Sequence, residues 1–151
     1  MRIASTAFEQ NGTIPALYSC DGKDKNPPLR FEDVPNNAAS LALIVSDPDA
    51  VGKKPFYHWV VFNIDPRTDY IEEDSVPATA IEGRNDFRKV GYGGPCPPSD
   101  THHYIFTLYA LDSRLHLEKG ATAEEFLKAI KGHTLETAEL VGLYSRQRRR
   151  S

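Results

Sequence analysis

Ser40-Leu41-Ala42-Leu43-Ile44-Val45-Ser46, running directly into Asp47-Pro48-Asp49-Ala50, is the stretch on which the reading of this chain turns. Its apolar residues are consecutive rather than alternating. A strand with one wet face would alternate, so this run fits a strand buried on both faces. It ends abruptly in two aspartates around a proline. Ionisable groups at the rim of an apolar strand belong in a site more often than in a core. The aspartates also have a plainer role, because aspartate side chains bond turn amides without any ligand.

Two further runs resemble this strand. Phe56 to Ile64 is rich in aromatic and β-branched residues, and Tyr104 to Leu111 has the same character. Ile3 to Phe8 reads as a first strand. Asn26-Pro27-Pro28 forbids helix and leads into a strand at Leu29 to Phe31. Eleven prolines and ten glycines break the chain often, as expected of many strands joined by turns. One helix is predicted, with Thr122 and Glu125 as a capping box ahead of Phe126, Leu127 and Ile130, and Gly132 at its end. Thr134 to Leu143 could continue as a second helix, or Ala138 to Tyr144 could be a closing strand. The residues imply a mostly-β sandwich with one or two short helices late in the chain.

The length of 151 residues suits one domain, expected over 1–145, followed by a frayed basic tail at 146–151. A membrane-surface or nucleic-acid contact is the lesser reading of that tail. Hydrophobic content of 40% and charged content of 26% describe an ordinary globule. A net charge of −3 supplies no field for nucleic acid. No run approaches the length of a membrane span, and the N-terminus lacks an apolar leader, so the expected location is cytoplasmic. Cys20 and Cys96 are too few for a disulfide scaffold. They could be two buried thiols or a single bridge.

The candidate site is assembled from two runs. His58 opens His58-Trp59-Val60-Val61-Phe62-Asn63. Gly91-Tyr92-Gly93-Gly94-Pro95-Cys96-Pro97-Pro98 precedes His102-His103-Tyr104. His102 and Tyr104 lie two apart on a strand and share one face, while His103 points away. His58 can approach from a separate strand, near Asp47 and Asp49. Pro48, Gly94, Pro95 and Pro97 are placed in the pocket wall, with a cis bond at Asp47-Pro48 or within Pro95 to Pro98 as one way to stiffen it. Gly91, Gly93 and Gly94 could offer amides to an anion or simply allow a tight loop. Trp59 reads as core, and His116 and His133 as surface or capping residues.

These runs resemble the phosphatidylethanolamine-binding proteins, most closely their prokaryotic Raf-kinase-inhibitor-like branch. The family's Asp-Pro-Asp-Ala-Pro run is similar to Asp47-Pro48-Asp49-Ala50-Val51, with Val51 in place of the final proline. The Gly-Tyr-x-Gly-Pro-x-Pro-Pro-x-x-x-His-x-Tyr run is similar to Gly91 to Tyr104, with His103 where an arginine is usual. Tyr18 to Gly22, Asn26 to Leu29, Gly132-His133 and Ala138 to Tyr144 add to the likeness. The resemblance implies a Greek-key-like β-sandwich, a strand at Ala138 to Tyr144, and a small anion pocket built from Asp47, Asp49, His58, His102 and Tyr104. It also implies a pocket more open to water than in mammalian members, whose further C-terminal helix has no counterpart here.

A phosphate-sized anion would suit imidazolium and phenol donors, with binding strengthening as pH falls toward about 6. An aspartate could hold a histidine protonated and aimed, or carry a proton itself. The expected ligand is a phosphate-bearing small molecule, a phospholipid head group or a phosphorylated side chain, with no cofactor. Modulation of a protein kinase or protease rests on the resemblance alone, and a homodimer is left open. The competing reading is a phosphoester hydrolase using the Asp/His cluster, with Asp47, Asp49, His58 and His102 on a metal or Cys96 as a thiolate.

Overall fold

The computed structural model describes residues 1–146. Two sheets face each other. The smaller holds β1 (Arg2–Ala4), β3 (Leu29–Glu32) and β6 (Tyr70–Ile71), in the order β1-β3-β6. The larger holds β2 (Gly12–Thr13), β4 (Ser40–Asp47), β5 (Phe56–Ile64), β7 (Ile81–Glu82), β8 (His102–Leu111) and β9 (Thr134–Tyr144), in the order β2-β9-β8-β4-β5-β7. Its long strands β5, β4, β8 and β9 pair antiparallel, and only β2 joins in parallel. The mostly-β sandwich is therefore confirmed, with one short helix, α1 (Ala123–Ala129).

β4 is the central strand because both its faces are covered. Leu41, Leu43 and Val45 pack between the sheets with Trp59, Val61, Phe106 and Leu108. Ala42 and Ile44 face the other way and pack with Val60, Phe62 and Phe126 of α1. The helix exists for local reasons as well. Thr122 Oγ1 accepts from the Glu125 amide at 3.1 Å, and the Glu125 carboxylate accepts from the Thr122 amide at 3.3 Å.

Two expectations change, and one open alternative is decided in favour of the strand. The first strand stops at Ala4 rather than Phe8, because Ser5 turns the chain: its hydroxyl donates to Pro28 O and accepts from the Ala7 amide. The segment after α1 is a strand from Thr134 onward, since pairing along β8 satisfies its backbone from Thr134 to Tyr144. No cis peptide bond occurs among the described residues, so the proline-rich wall is not stiffened that way. Of the basic tail, Arg146 is bound through Nε to Asp21 at 3.1 Å, and residues 147–151 lie outside the described residues.

Candidate functional site

A bulge in β5 builds the site. Val45 pairs with Trp59 and Ser46 with Tyr57, so His58 has no partner on β4. Strict alternation would give His58 the face of Val60 and Phe62, the helix side. The extra residue resets the alternation and turns His58 toward Tyr104, which lies on the inter-sheet side with Phe106 and Leu108. Its ring meets the Tyr104 ring edge-on, centroids 5.2 Å apart. The bulged backbone is not left unsatisfied. The Gly93 amide donates to His58 O at 2.9 Å, and His58 Nδ1 lies 2.7 Å from Gly93 O. Only glycine fits there, since a Cβ on residue 93 would sit 2.4 Å from the Phe87 ring.

The polar groups have distinct roles. A carbonyl can only accept, so His58 Nδ1 carries hydrogen and Nε2 is the nitrogen left for a ligand. Burial depresses the His58 pKa, only partly opposed by the Gly93 carbonyl and Asp47, so the ring is neutral at pH 7. His102 Nδ1 donates to Asp47 Oδ2 at 2.6 Å, both side chains being buried. The Asp47 charge is thereby spent on aiming His102 rather than facing an incoming anion. Tyr104 is 1% exposed, and its hydroxyl donates to no acceptor among the described residues. Burial raises its pKa, reinforced by the Asp47 and Asp49 charges, with the Cys96 amide acting weakly the other way, so it is a neutral donor. A buried hydroxyl left unpaired costs about 1–3 kcal/mol.

These groups surround a cavity of about 230 Å³. Asp47, His58, His102 and Tyr104 form its polar end. Phe56, Phe87, Ala50, Val51, Cys96, Pro97 and Pro98 form the rest. Phe56 could have been found from sequence, since it lies two residues from His58. Phe87 carried no local signal. It arrives because Asp86 grips the bulged strand, donating its amide to Tyr57 O at 2.9 Å and accepting from the Tyr57 amide at 2.8 Å. Buried Asn85 then accepts from the Phe87 amide at 2.9 Å, fixing the loop that presents the ring.

Several expected site residues stand elsewhere. Asp49 is turned outward: its carboxylate accepts from the His103 amide and ring, both at 2.7 Å, which lowers its pKa. His103 alternates away from the cavity and takes Asp49 with it. Pro48 is exposed at the turn, and Gly94 and Pro95 are buried behind the wall, so of the four wall residues only Pro97 lines the cavity. The amides of Gly91, Gly93 and Gly94 are bonded to Gly83 O, His58 O and Asp24 Oδ1, which makes them loop-building rather than anion-facing. Among the described residues no group of three or more His, Cys, Asp or Glu is placed to hold a metal ion. Cys20 and Cys96 are joined by a disulfide, which decides between the two thiols and the bridge left open by the sequence and removes Cys96 as a ready thiolate.

A family model described as phosphatidylethanolamine-binding protein matches residues 4–145. The chain belongs to that family. Three similar proteins are matched over nearly their whole length. A UPF0098 protein of Methanothermobacter thermautotrophicus is 48% identical, the match covering 97% of this chain and 99% of that one. The crystal structure of CT736 of Chlamydia trachomatis, described as a putative phosphatidylethanolamine-binding protein homolog, superposes with a TM-score of 0.92 at 41% identity and covers 97% of each chain. The structure of YbcL of E. coli, described as a new member of the mammalian family, gives a TM-score of 0.91 at 27% identity, covering 97% of this chain and 98% of that one. No helix among the described residues is long and apolar enough to cross a membrane.

Proposed function

We propose that this family member is a binding protein whose cavity takes the phosphate group of a small molecule or phospholipid head. One observation carries the reading: the Tyr104 hydroxyl is buried, unpaired and set between two histidines whose Nδ1 atoms are both engaged by the framework. An incoming phosphoryl oxygen would accept from Tyr104. A protonated phosphate oxygen would donate to neutral His58 Nε2, and His102, steadied by Asp47, would supply the second imidazole. The apolar remainder of the cavity excludes water from these bonds and strengthens them. The family's name, phosphatidylethanolamine-binding protein, agrees with such a ligand.

Hydrolysis is the weaker reading. The covalent thiolate route is closed, because Cys96 is occupied by the disulfide. Neither Ser46 nor Ser99 lines the cavity.

The test is a titration of inorganic phosphate and phosphoethanolamine, followed by the histidine ring signals in NMR. Shifts at His58 and His102 that vanish in His58→Ala are expected, without turnover of a phosphoester in the presence or absence of divalent metals. Unchanged phosphate affinity in folded His58→Ala overturns the assignment. Turnover that disappears in the same variant would make the protein an enzyme.

A further inference from the structure

The disulfide is not a remote staple. Cys96 is a wall residue of the cavity, in an irregular segment between Gly91 and Thr101, and Cys20 lies exposed on the neighbouring loop. The two loops are otherwise joined by a few polar contacts. The Cys20 amide donates to Pro95 O at 3.1 Å, the Gly94 amide to Asp24 Oδ1 at 2.7 Å, and the Tyr92 hydroxyl to Tyr18 O at 2.6 Å. The same segment carries Gly93, which clasps the bulged His58, and Pro97 and Pro98, which close the cavity beside Tyr104. A covalent link therefore sits where slackening would reach the anion-facing groups directly.

We propose that the Cys20–Cys96 disulfide is a reduction site for a dithiol, and that its opening lowers the affinity of the cavity for phosphate. This rests on the cavity being a phosphate site. The chemistry is ordinary exchange. A thiolate of the dithiol attacks Sγ of Cys20, an exposed residue. The Cys20–Cys96 bond breaks, and Cys96 leaves as a thiolate. The second thiol of the reductant attacks the mixed disulfide, freeing Cys20. Two electrons pass to the protein, both cysteines end as thiols once protonated, and the reductant becomes a disulfide.

Two consequences weaken binding. The wall loses its cross-link, so a ligand must order it on binding. The freed Cys96 sulfur also stands on the cavity, and any thiolate fraction there repels an anion. An accessible bridge suits such a role better than a buried one, because access governs exchange. In a reducing compartment, where persistent bridges are uncommon, this one would report the redox state.

The experiment compares oxidised protein, protein reduced with dithiothreitol and then freed of it, and Cys20→Ser, with thiol content checked by alkylation and mass spectrometry. Two readouts are taken: amide hydrogen exchange across residues 91–101, and calorimetric titration with inorganic phosphate. Reduction is expected to speed exchange in 91–101 while β8 amides from Phe106 to Leu111 stay protected, and to weaken phosphate binding by about tenfold. Cys20→Ser should match the reduced protein and ignore dithiothreitol. Full reduction with both readouts unchanged overturns the proposal, and so does loss of protection throughout β8, which would make the bridge a global fold element. If oxidised protein binds no phosphate, the phosphate-site reading fails by itself. The exchange data then decide whether the bridge controls the wall: unchanged exchange over 91–101 rejects the switch, and selective loosening supports it.

Discussion

His58 and Tyr104 lie on strands separated by β4, yet their rings meet edge-on at 5.2 Å because the bulge in β5 turns His58 across the sheet. The imidazole that faces Tyr104 from β5 depends on that rotation. It places a neutral imidazole beside the Tyr104 phenol, next to the apolar run Val60-Val61-Phe62.

Tyr104→Phe should separate stability from binding. The hydroxyl donates to no acceptor among the described residues, so its removal relieves an unsatisfied buried donor. Unfolding free energy is expected to hold steady or rise by about 1 kcal/mol, while phosphate affinity falls by about tenfold. Denaturant unfolding and calorimetric titration check the two halves. A clear loss of stability would mean the hydroxyl is bonded in solution.

The two aspartates should behave oppositely. Asp47→Ala leaves His102 buried without its acceptor and is expected to destabilise by about 3 kcal/mol and abolish anion binding. Asp49→Ala removes a half-exposed pair with His103, so the stability change should stay below about 1 kcal/mol with phosphate affinity retained. Equal effects at both positions would contradict the outward placement of Asp49.

Acidification should cost stability through His58. Its folded pKa lies below the ordinary value of 6.5. Above that value both folded and unfolded rings are neutral, and the contribution is fully present. As pH falls below 6.5, the unfolded chain takes up a proton that the native ring resists, so stability declines until the folded pKa is passed. Asp49, also depressed, adds a loss of the same sign in the more acidic carboxylate range. His58→Gln should flatten the decline just below pH 6.5 and leave the later one intact. Unfolding midpoints measured across pH 4 to 8, a span of about four units around the histidine range, test this.

Leu43→Ala should destabilise by about 2–5 kcal/mol, since the side chain is fully buried between the sheets. A change under about 1 kcal/mol would mean that β4 is not the central strand.

Much of this was legible locally. The unbroken apolar run of Leu41 to Val45 specified a strand covered on both faces, and the Thr122–Glu125 capping box specified where α1 begins. The shared face of His102 and Tyr104 followed from a two-residue period, as did the exclusion of His103. These features depend on neighbours in the chain, and the residues that create them stand beside the residues they affect.

The rest was decided by partners distant in sequence. The face of His58 depends on a register shift against β4. The direction of Asp49 depends on His103, 54 residues away. Phe87 reaches the cavity only because Asp86 grips Tyr57. The union of Cys20 with Cys96, 76 residues apart, follows from the loops that carry them. The sequence alone determined the central strands β4, β5 and β8 and the chemical types at their ends. Which of those types share a cavity was settled by tertiary structure, because one extra residue in a strand reverses the face of a side chain without altering any local preference.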